Sequence, residues 1–199
     1  MNDDEIRAPI ECFVLLLNMI FNALLDTPRL ILRGFNQESY HHLFSLEDNV
    51  IMDVLGLENV DELILEKNRY KGGYSTYNLT IQFFQLVAKE DNRILGWCGY
   101  HSWAKQHQRA EIFYMLKEER DRGKGIMTEA IESVLEYGKR EMALRRIEAF
   151  IAIDNPASYK LVEKFGFRKE ATIQHRYQFG DEVDWDYMYA WVRLDGSEA

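Results

Sequence analysis

The run Arg122-Gly123-Lys124-Gly125-Ile126-Met127-Thr128-Glu129-Ala130 decides how the rest of the chain is read. Residues 110–116 before it are strand formers. After it, Met127, Ile131, Val134, Leu135, Gly138 and Met142 recur at helical spacing. A strand that enters a glycine turn and leaves as a helix aims backbone N–H groups at an anion. The first four amides of a helix lack an internal partner, and the helix dipole favours negative charge there. Gly123 and Gly125 accept left-handed backbone, so the turn can curl around a phosphate. Two common phosphate motifs do not fit. A P-loop needs Lys then Ser/Thr after the second glycine, where Ile126-Met127 stands, and a dinucleotide fingerprint needs a third glycine where Thr128 stands.

Working outward, 199 residues suit one domain with at most an appendage, and 47% hydrophobic with 29% charged residues is an ordinary globular composition. A net charge of −9 argues against a general nucleic-acid binder, which needs basic clusters, and is compatible with a cationic substrate. Cys12 and Cys98 build neither a disulfide framework nor a metal cluster, and the histidines at 41, 42, 101, 107 and 175 lack ligand spacing. A cytoplasmic enzyme without a metal is expected. Residues 12–25 are apolar except for Asn18 and Asn22. That length falls short of the about 20 residues a spanning helix needs, and the acidic start is unlike a signal peptide. Residues 1–26 therefore read as an apolar helical extension to a domain at 27–199. It packs on the body or on a sister subunit, which makes a homodimer contact the expected cover and excludes a membrane partner.

In order, residues 29–33 read as a strand, 37–46 and 60–70 as helices, and 49–56 as an irregular apolar stretch between them. Residues 79–89 and 94–103 form a hairpin across the turn at 90–93. The strand at 110–116, the focal turn and its helix follow, then a strand at 147–153. Asn155 as N-cap with Pro156 after it starts a helix that Gly166 ends. Residues 172–179 and 183–194, joined at Gly180-Asp181, close the chain as a hairpin. This is a mixed α/β domain with helices covering a central sheet.

Two stretches resemble the GNAT superfamily of acyl-CoA-dependent N-acyltransferases, in its RimJ/RimL-like branch of ribosomal-protein N-acetyltransferases. They are Arg122 to Ala130 and Asn155-Pro156-Ala157-Ser158 continuing to Phe165-Gly166-Phe167, and the opening 27–33 looks like that branch's first strand. The resemblance covers residues 27–194. It implies the GNAT fold, a twisted, mostly antiparallel sheet with splayed parallel central strands, and acetyl-CoA as the donor. The pyrophosphate would sit on amides of Arg122, Gly123, Lys124, Gly125, Ile126 and Met127. The pantetheine arm would pair along Met115, Leu116 and Lys117, with Asn155 and Ser158 across from it. Two departures stand out: the branch often has Pro near Glu118, and small residues where Met127 stands.

Acetyl transfer needs a neutral amine, support for the oxyanion and a proton for the leaving thiolate. Amides near Met115 and Leu116 are the natural oxyanion donors. Many relatives place a tyrosine seven residues beyond the capping Asn; here Val162 stands there. The resemblance then points to the Ser158 hydroxyl as the acid, while Glu111, on the strand bordering the cofactor, is the candidate base. Glu129 reads as structural, and Tyr114, Tyr177 and Trp185 are expected to line the acceptor pocket. A lysine amine of pKa about 10.4 is neutral about once in 2,500 molecules at pH 7, an α-amine near 7.8 about once in seven, a difference of about 3.5 kcal/mol. A site without an evident strong base suits a protein N-terminal α-amine. A polyamine or aminoglycoside-type acceptor is the alternative, supported if Asp48, Asp53, Glu58 or Asp184 made an acidic pocket. A CoA-binding protein without turnover is the third reading.

Overall fold

In the computed structural model, which describes residues 20–72, 80–174 and 185–193, eight strands join in one mixed sheet. They are β1 (Ala23–Asp26), β2 (Leu30–Asn36), β3 (Thr80–Ala88), β4 (Ile94–Ala104), β5 (Arg109–Leu116), β6 (Arg146–Ala152), β7 (Arg168–Gln174) and β8 (Trp185–Val192). Their spatial order is β1-β2-β3-β4-β5-β6-β8-β7. Among the described residues five α-helices cover the sheet: α1 (Gln37–Leu43), α2 (Asp48–Leu55), α3 (Val60–Gly72), α4 (Ile126–Arg140) and α5 (Pro156–Lys164). Neighbouring strands run antiparallel except β5 and β6. A parallel pair needs a crossover, and α4 supplies it.

The two faces of the sheet carry separate cores. On one, Leu30, Phe84, Tyr100, Ala110 and Ile112 meet Ile126, Ala130, Ile131 and Val134 of α4 and Val162 of α5. Each large apolar side chain there contributes about 1.5–3 kcal/mol. The helix comes close at Gly138, where a Cβ would lie 2.3 Å from the Tyr100 hydroxyl; that hydroxyl donates to the Val134 carbonyl. On the other face Phe35, Phe83, Trp97 and Phe113 meet Tyr40, Leu43, Ile51 and Leu63 of α1 to α3.

The structure corrects the sequence reading at both ends and in one loop. Ala23–Asp26 is a strand on the sheet edge, paired from Ala23↔Gly34 to Asp26↔Ile31, and not the end of a helix. An edge strand exposed on one face shows the same short apolar run as a packed helix; residues 1–19 lie outside the described residues. The 49–56 stretch is helical: α2 buries Ile51, Val54 and Leu55, a three-and-four spacing that Asp48, Asn49 and Asp53 interrupt, and left-handed Gly56 (φ +63°) ends it. β7 begins at Arg168, four residues before the expected start, and Gly180-Asp181 and Tyr177 lie outside the described residues. Asn155 caps α5 as the sequence requires, its side-chain oxygen accepting from the Ser158 amide at 3.2 Å, with Pro156 in the first turn.

Candidate active site

The parallel pair β5–β6 is short. Its register runs Arg109↔Arg146, Ala110↔Ile147, Glu111↔Glu148 and stops there. β5 goes on pairing with β4 to Leu116↔Gly96, and β6 with β8 to Ala152↔Asp186. From Ile112 and Ala149 onward the strands part, and a cleft opens in the middle of the sheet. The Lys117 amide donates to the Leu95 carbonyl at 2.8 Å. By the alternation of strand hydrogen bonds, the amides and carbonyls of Tyr114 and Leu116 then face the cleft, while those of Met115 face β4. Of the two expected oxyanion donors, Leu116 has the right orientation and Met115 does not. Met115 instead presents an exposed side chain at the mouth.

β5 leads into the glycine turn, and Gly123 (φ +73°) and Gly125 (φ +75°) are both left-handed, with Gly125 the N-cap of α4. A Cβ at Gly123 would meet nothing within 4 Å, so backbone angle and not crowding requires glycine there. The amides of Gly123, Lys124, Gly125, Ile126, Met127 and Thr128 donate to no partner among the described residues, and the helix pairs internally from Glu129 N to Gly125 O. That is a nest for an anion at a helix N-terminus. The Arg122 amide is not part of it, because it donates to the Glu119 carbonyl at 3.0 Å. Around the nest the cations alternate with carboxylates: Arg120 pairs with Glu118, Arg122 with Glu119 and Lys124 with Asp121.

Two clamps that sequence reasoning missed hold this turn in shape. Glu129 accepts from the Thr27 hydroxyl (2.6 Å), the Arg29 amide (2.8 Å) and the Arg29 Nε (2.6 Å), and Arg29 Nη1 donates to the Lys124 carbonyl (2.9 Å). Burial opposes ionisation of Glu129, but these donors outweigh it and hold the carboxyl below its ordinary range. The structural reading of Glu129 is therefore a specific one: it ties the β1–β2 turn to α4. On the other side, Arg93 from the β3–β4 turn grips Asp121 with Nη1–Oδ2 at 2.8 Å and Nη2–Oδ1 at 3.2 Å. Asp121 is 3% exposed. The clamping partners lie 28 to 102 residues apart in sequence, so no local pattern announces them.

Across the cleft, Tyr114 donates its hydroxyl to the Ser158 carbonyl at 3.1 Å and links β5 to the first turn of α5. Burial pushes the phenol up to about 12 against the lowering effect of that bond, so it stays protonated at neutral pH. Tyr114 packs on the α4 face, opposite to Glu111. Ser158 is half-buried at the cleft wall, and the Asn155 side chain is engaged as its cap. Lys117, expected along the cofactor arm, bonds the Gly56 carbonyl at 3.2 Å and so closes the C-terminus of α2. Trp185 begins β8 and is 42% exposed.

Glu111 stands at the vertex where the strands part and is 8% exposed. Its side chain shares the α1–α3 face with Phe113, opposite to Tyr114. His101 Nε2 lies 3.4 Å from its Oε1. Glu148, its register partner, is neutralised by Arg146 (Nε–Oε1 2.6 Å) and Arg109 (Nη1–Oε2 3.4 Å). A cavity of about 590 Å³ lined by Asn22, Asn36, His41, Gln82, Trp103 and Tyr137, where β3 begins and β4 ends, shares none of these residues. Among the described residues no cluster of His, Cys, Asp and Glu could hold a metal, and no helix is long and apolar enough to cross a membrane.

A split parallel pair with a nest at its open end offers room for an extended, phosphorylated ligand, and a carboxylate stands at its vertex. The acetyltransferase (GNAT) domain model matches residues 29–168. The chain belongs to the GNAT acetyltransferases. It is 32% identical over 164 residues to the N-acetyltransferase YoaA of Bacillus subtilis, covering 81% of this chain and 92% of that one. The fold is shared with a RimL ribosomal alpha-N-protein acetyltransferase in complex with coenzyme A (TM-score 0.60, 17% identity, 85% and 98% covered). It is shared too with the spermidine/spermine N-acetyltransferase SpeG of Vibrio cholerae (TM-score 0.59, 16% identity, 81% and 94% covered). The chain is an N-acetyltransferase, and GNAT acetyltransferases take their acetyl group from acetyl-CoA. The residues present fit that donor: a pyrophosphate for the free amides of the nest, and an amide-bearing arm for the open edge of β5.

Proposed function

We propose that this protein acetylates a primary amine with acetyl-CoA by direct attack in a ternary complex, and that its acceptor is a protein N-terminal α-amine of the kind RimJ/RimL-like enzymes modify. The observation that carries this reading is the cleft between β5 and β6, with free amides at its open end and Glu111 at its vertex on the opposite face. Gly123, Lys124, Gly125, Ile126 and Met127 hold the pyrophosphate through their amides, and the edge at Leu116 aligns the arm. Acetyl-CoA supplies an acyl thioester. The Leu116 amide offers a hydrogen bond to its carbonyl oxygen, where negative charge develops. Glu111 takes a proton from the incoming ammonium, and the Ser158 hydroxyl gives one to the leaving sulfur.

The acceptor class rests on the base. Of the four carboxylates that would make an acidic pocket, Asp48 is paired with Lys67 on α3, Asp53 and Glu58 are exposed with no ion pair among the described residues, and Asp184 lies outside the described residues. An α-amine asks less of the base than a polyamine does. Incubation with acetyl-CoA and a mixed library of N-terminal peptides, polyamines and aminoglycosides, read by mass spectrometry, tests this. Acetylated peptide α-amines are expected. Acetylated polyamines would reverse the acceptor assignment, and CoA binding with no acetylated amine would favour the reading without turnover.

A further inference from the structure

The regular pairing of β4 with β5 breaks beside Glu111. Their register shifts between His101 and Ala104, and Ser102 takes φ +51°, a backbone angle that residues with side chains seldom adopt. Such irregularities re-aim side chains and cluster at functional sites. Here the kink brings the Ser102 Oγ to 3.0 Å from His101 Nδ1, while Nε2 of the same ring faces Glu111 Oε1 at 3.4 Å. The Phe113 ring lies against the imidazole, centroids 5.7 Å apart. Both ring nitrogens are thus held, one towards a hydroxyl and one towards the carboxylate. The Glu111 side chain is 10% exposed and that of His101 35%.

A buried carboxylate that accepts a proton in every turnover must lose it again before the next. Among the described residues its charged neighbours on this face include Arg109 on β5, Arg146 and Glu148 on β6 and Glu170 on β7, and these four are bonded among themselves. The arginines carry no acceptor and do not titrate near neutrality. Histidine does. We propose that His101, oriented by Ser102, acts through Glu111 as the outlet for its proton and is a positioning residue for amine deprotonation. The inference rests on Glu111 being the base. In the step, the acceptor ammonium gives one proton to Glu111, and the nitrogen lone pair forms the C–N bond. The C–S bonding pair leaves with sulfur, and the second nitrogen proton balances the one the thiolate takes up. The Glu111 proton passes to His101 and from there to water, so one proton is released overall.

The test compares His101→Gln and Ser102→Gly with the wild type on two acceptors. Ser102→Gly removes the hydroxyl but suits the left-handed backbone. One acceptor is a peptide acetylated in the screen above; the other is the same peptide beginning with trifluoroalanine, whose amine is already neutral at the assay pH. His101→Gln should lower kcat on the ordinary peptide by roughly 100-fold, the low end for general acid–base effects. It should change kcat on the fluorinated peptide by no more than about twofold, with the Kd of acetyl-CoA by calorimetry unchanged. Ser102→Gly should show the same selectivity with a smaller loss. Equal losses on both peptides, or no loss on the ordinary one, would overturn the role of His101 while leaving the acetyltransferase reading intact. A wild type that binds acetyl-CoA and acetylates no amine would overturn both.

Discussion

The two faces of the sheet would serve the proposed reaction by different means. On the α4 face the proposed donor seat is built from backbone, with the Ser158 hydroxyl beside it: six amides without a partner among the described residues, two left-handed glycines and the open edge of β5. The surrounding core is largely aliphatic, and α4 is pressed against it. On the α1–α3 face the proposed base and its proton outlet are side chains, Glu111 and His101, beside an aromatic cluster in which Phe35 stacks on Phe83 at 5.5 Å. Backbone donors tolerate many side-chain exchanges but not a change of φ. Side-chain chemistry is the reverse: a change of one functional group removes it while the fold stands.

Paired substitutions break that comparison most directly. Glu111→Gln, nearly isosteric, should lower kcat by roughly 10²- to 10⁴-fold and leave the Kd of acetyl-CoA within about twofold. Gly125→Val should do the opposite to binding. A β-branched residue at φ +75° is strained, and left-handed strain of about 1–2 kcal/mol together with misdirected amides worth about 1 kcal/mol each predicts roughly 100-fold weaker acetyl-CoA binding. Calorimetry gives both numbers, and circular dichroism should show each variant melting cooperatively. Unchanged CoA affinity in Gly125→Val would sink the nest as the pyrophosphate seat.

A second pair sharpens the boundary between structural and chemical roles at the start of α5. Ser158→Ala should lower kcat by at least tenfold with little effect on melting, because its backbone groups, not its hydroxyl, bond Asn155 and Tyr114. Asn155→Ala removes a helix cap and should cost about 1 kcal/mol of stability. If the melting temperature falls in Ser158→Ala and kcat does not, the hydroxyl is part of the fold and not the proton donor.

The same division explains what could be read from the sequence. Gly123, Gly125 and the Asn155-Pro156 cap are legible because turn and cap chemistry is local: a few residues suffice to require φ > 0 or a helix start. The element order follows from periodicity for the same reason. The clamps Arg29–Glu129 and Arg93–Asp121 are long-range pairings of ordinary surface residue types, and only the folded sheet brings them together. β1 was hidden because four residues of an edge strand carry too little pattern to outweigh the apolar run before them. Glu111 could be singled out as a carboxylate on the strand bordering the cleft, but its contact with His101 depends on a break in the β4–β5 register that propensity does not encode. The acceptor side is the least legible because its specificity lies in side-chain identity and shape, for which there is no backbone rule.

The smallest expected effect concerns the clamps under acid. Hydrogen bonds from Arg93 hold the Asp121 carboxyl below its ordinary range, and Glu129 is held low as well although burial opposes it. A carboxyl whose pKa is depressed on folding contributes stability that is present above its unfolded value, about 3.9 for Asp and 4.3 for Glu, and is lost as pH falls through the folded value. The melting temperature should therefore decline below about pH 4, and acetyl-CoA affinity with it, since the clamps shape the nest. Asp121→Asn keeps the side-chain volume but cannot titrate: it should start with a lower melting temperature at neutral pH and then lose less of it between about pH 5 and pH 3. Parallel acid curves for the wild type and Asp121→Asn would mean that the clamp is not what acid releases. In that case the rigidity of the nest would have to come from α4 and its core alone, and the backbone-borne face of the enzyme would owe nothing to the salt bridges around it.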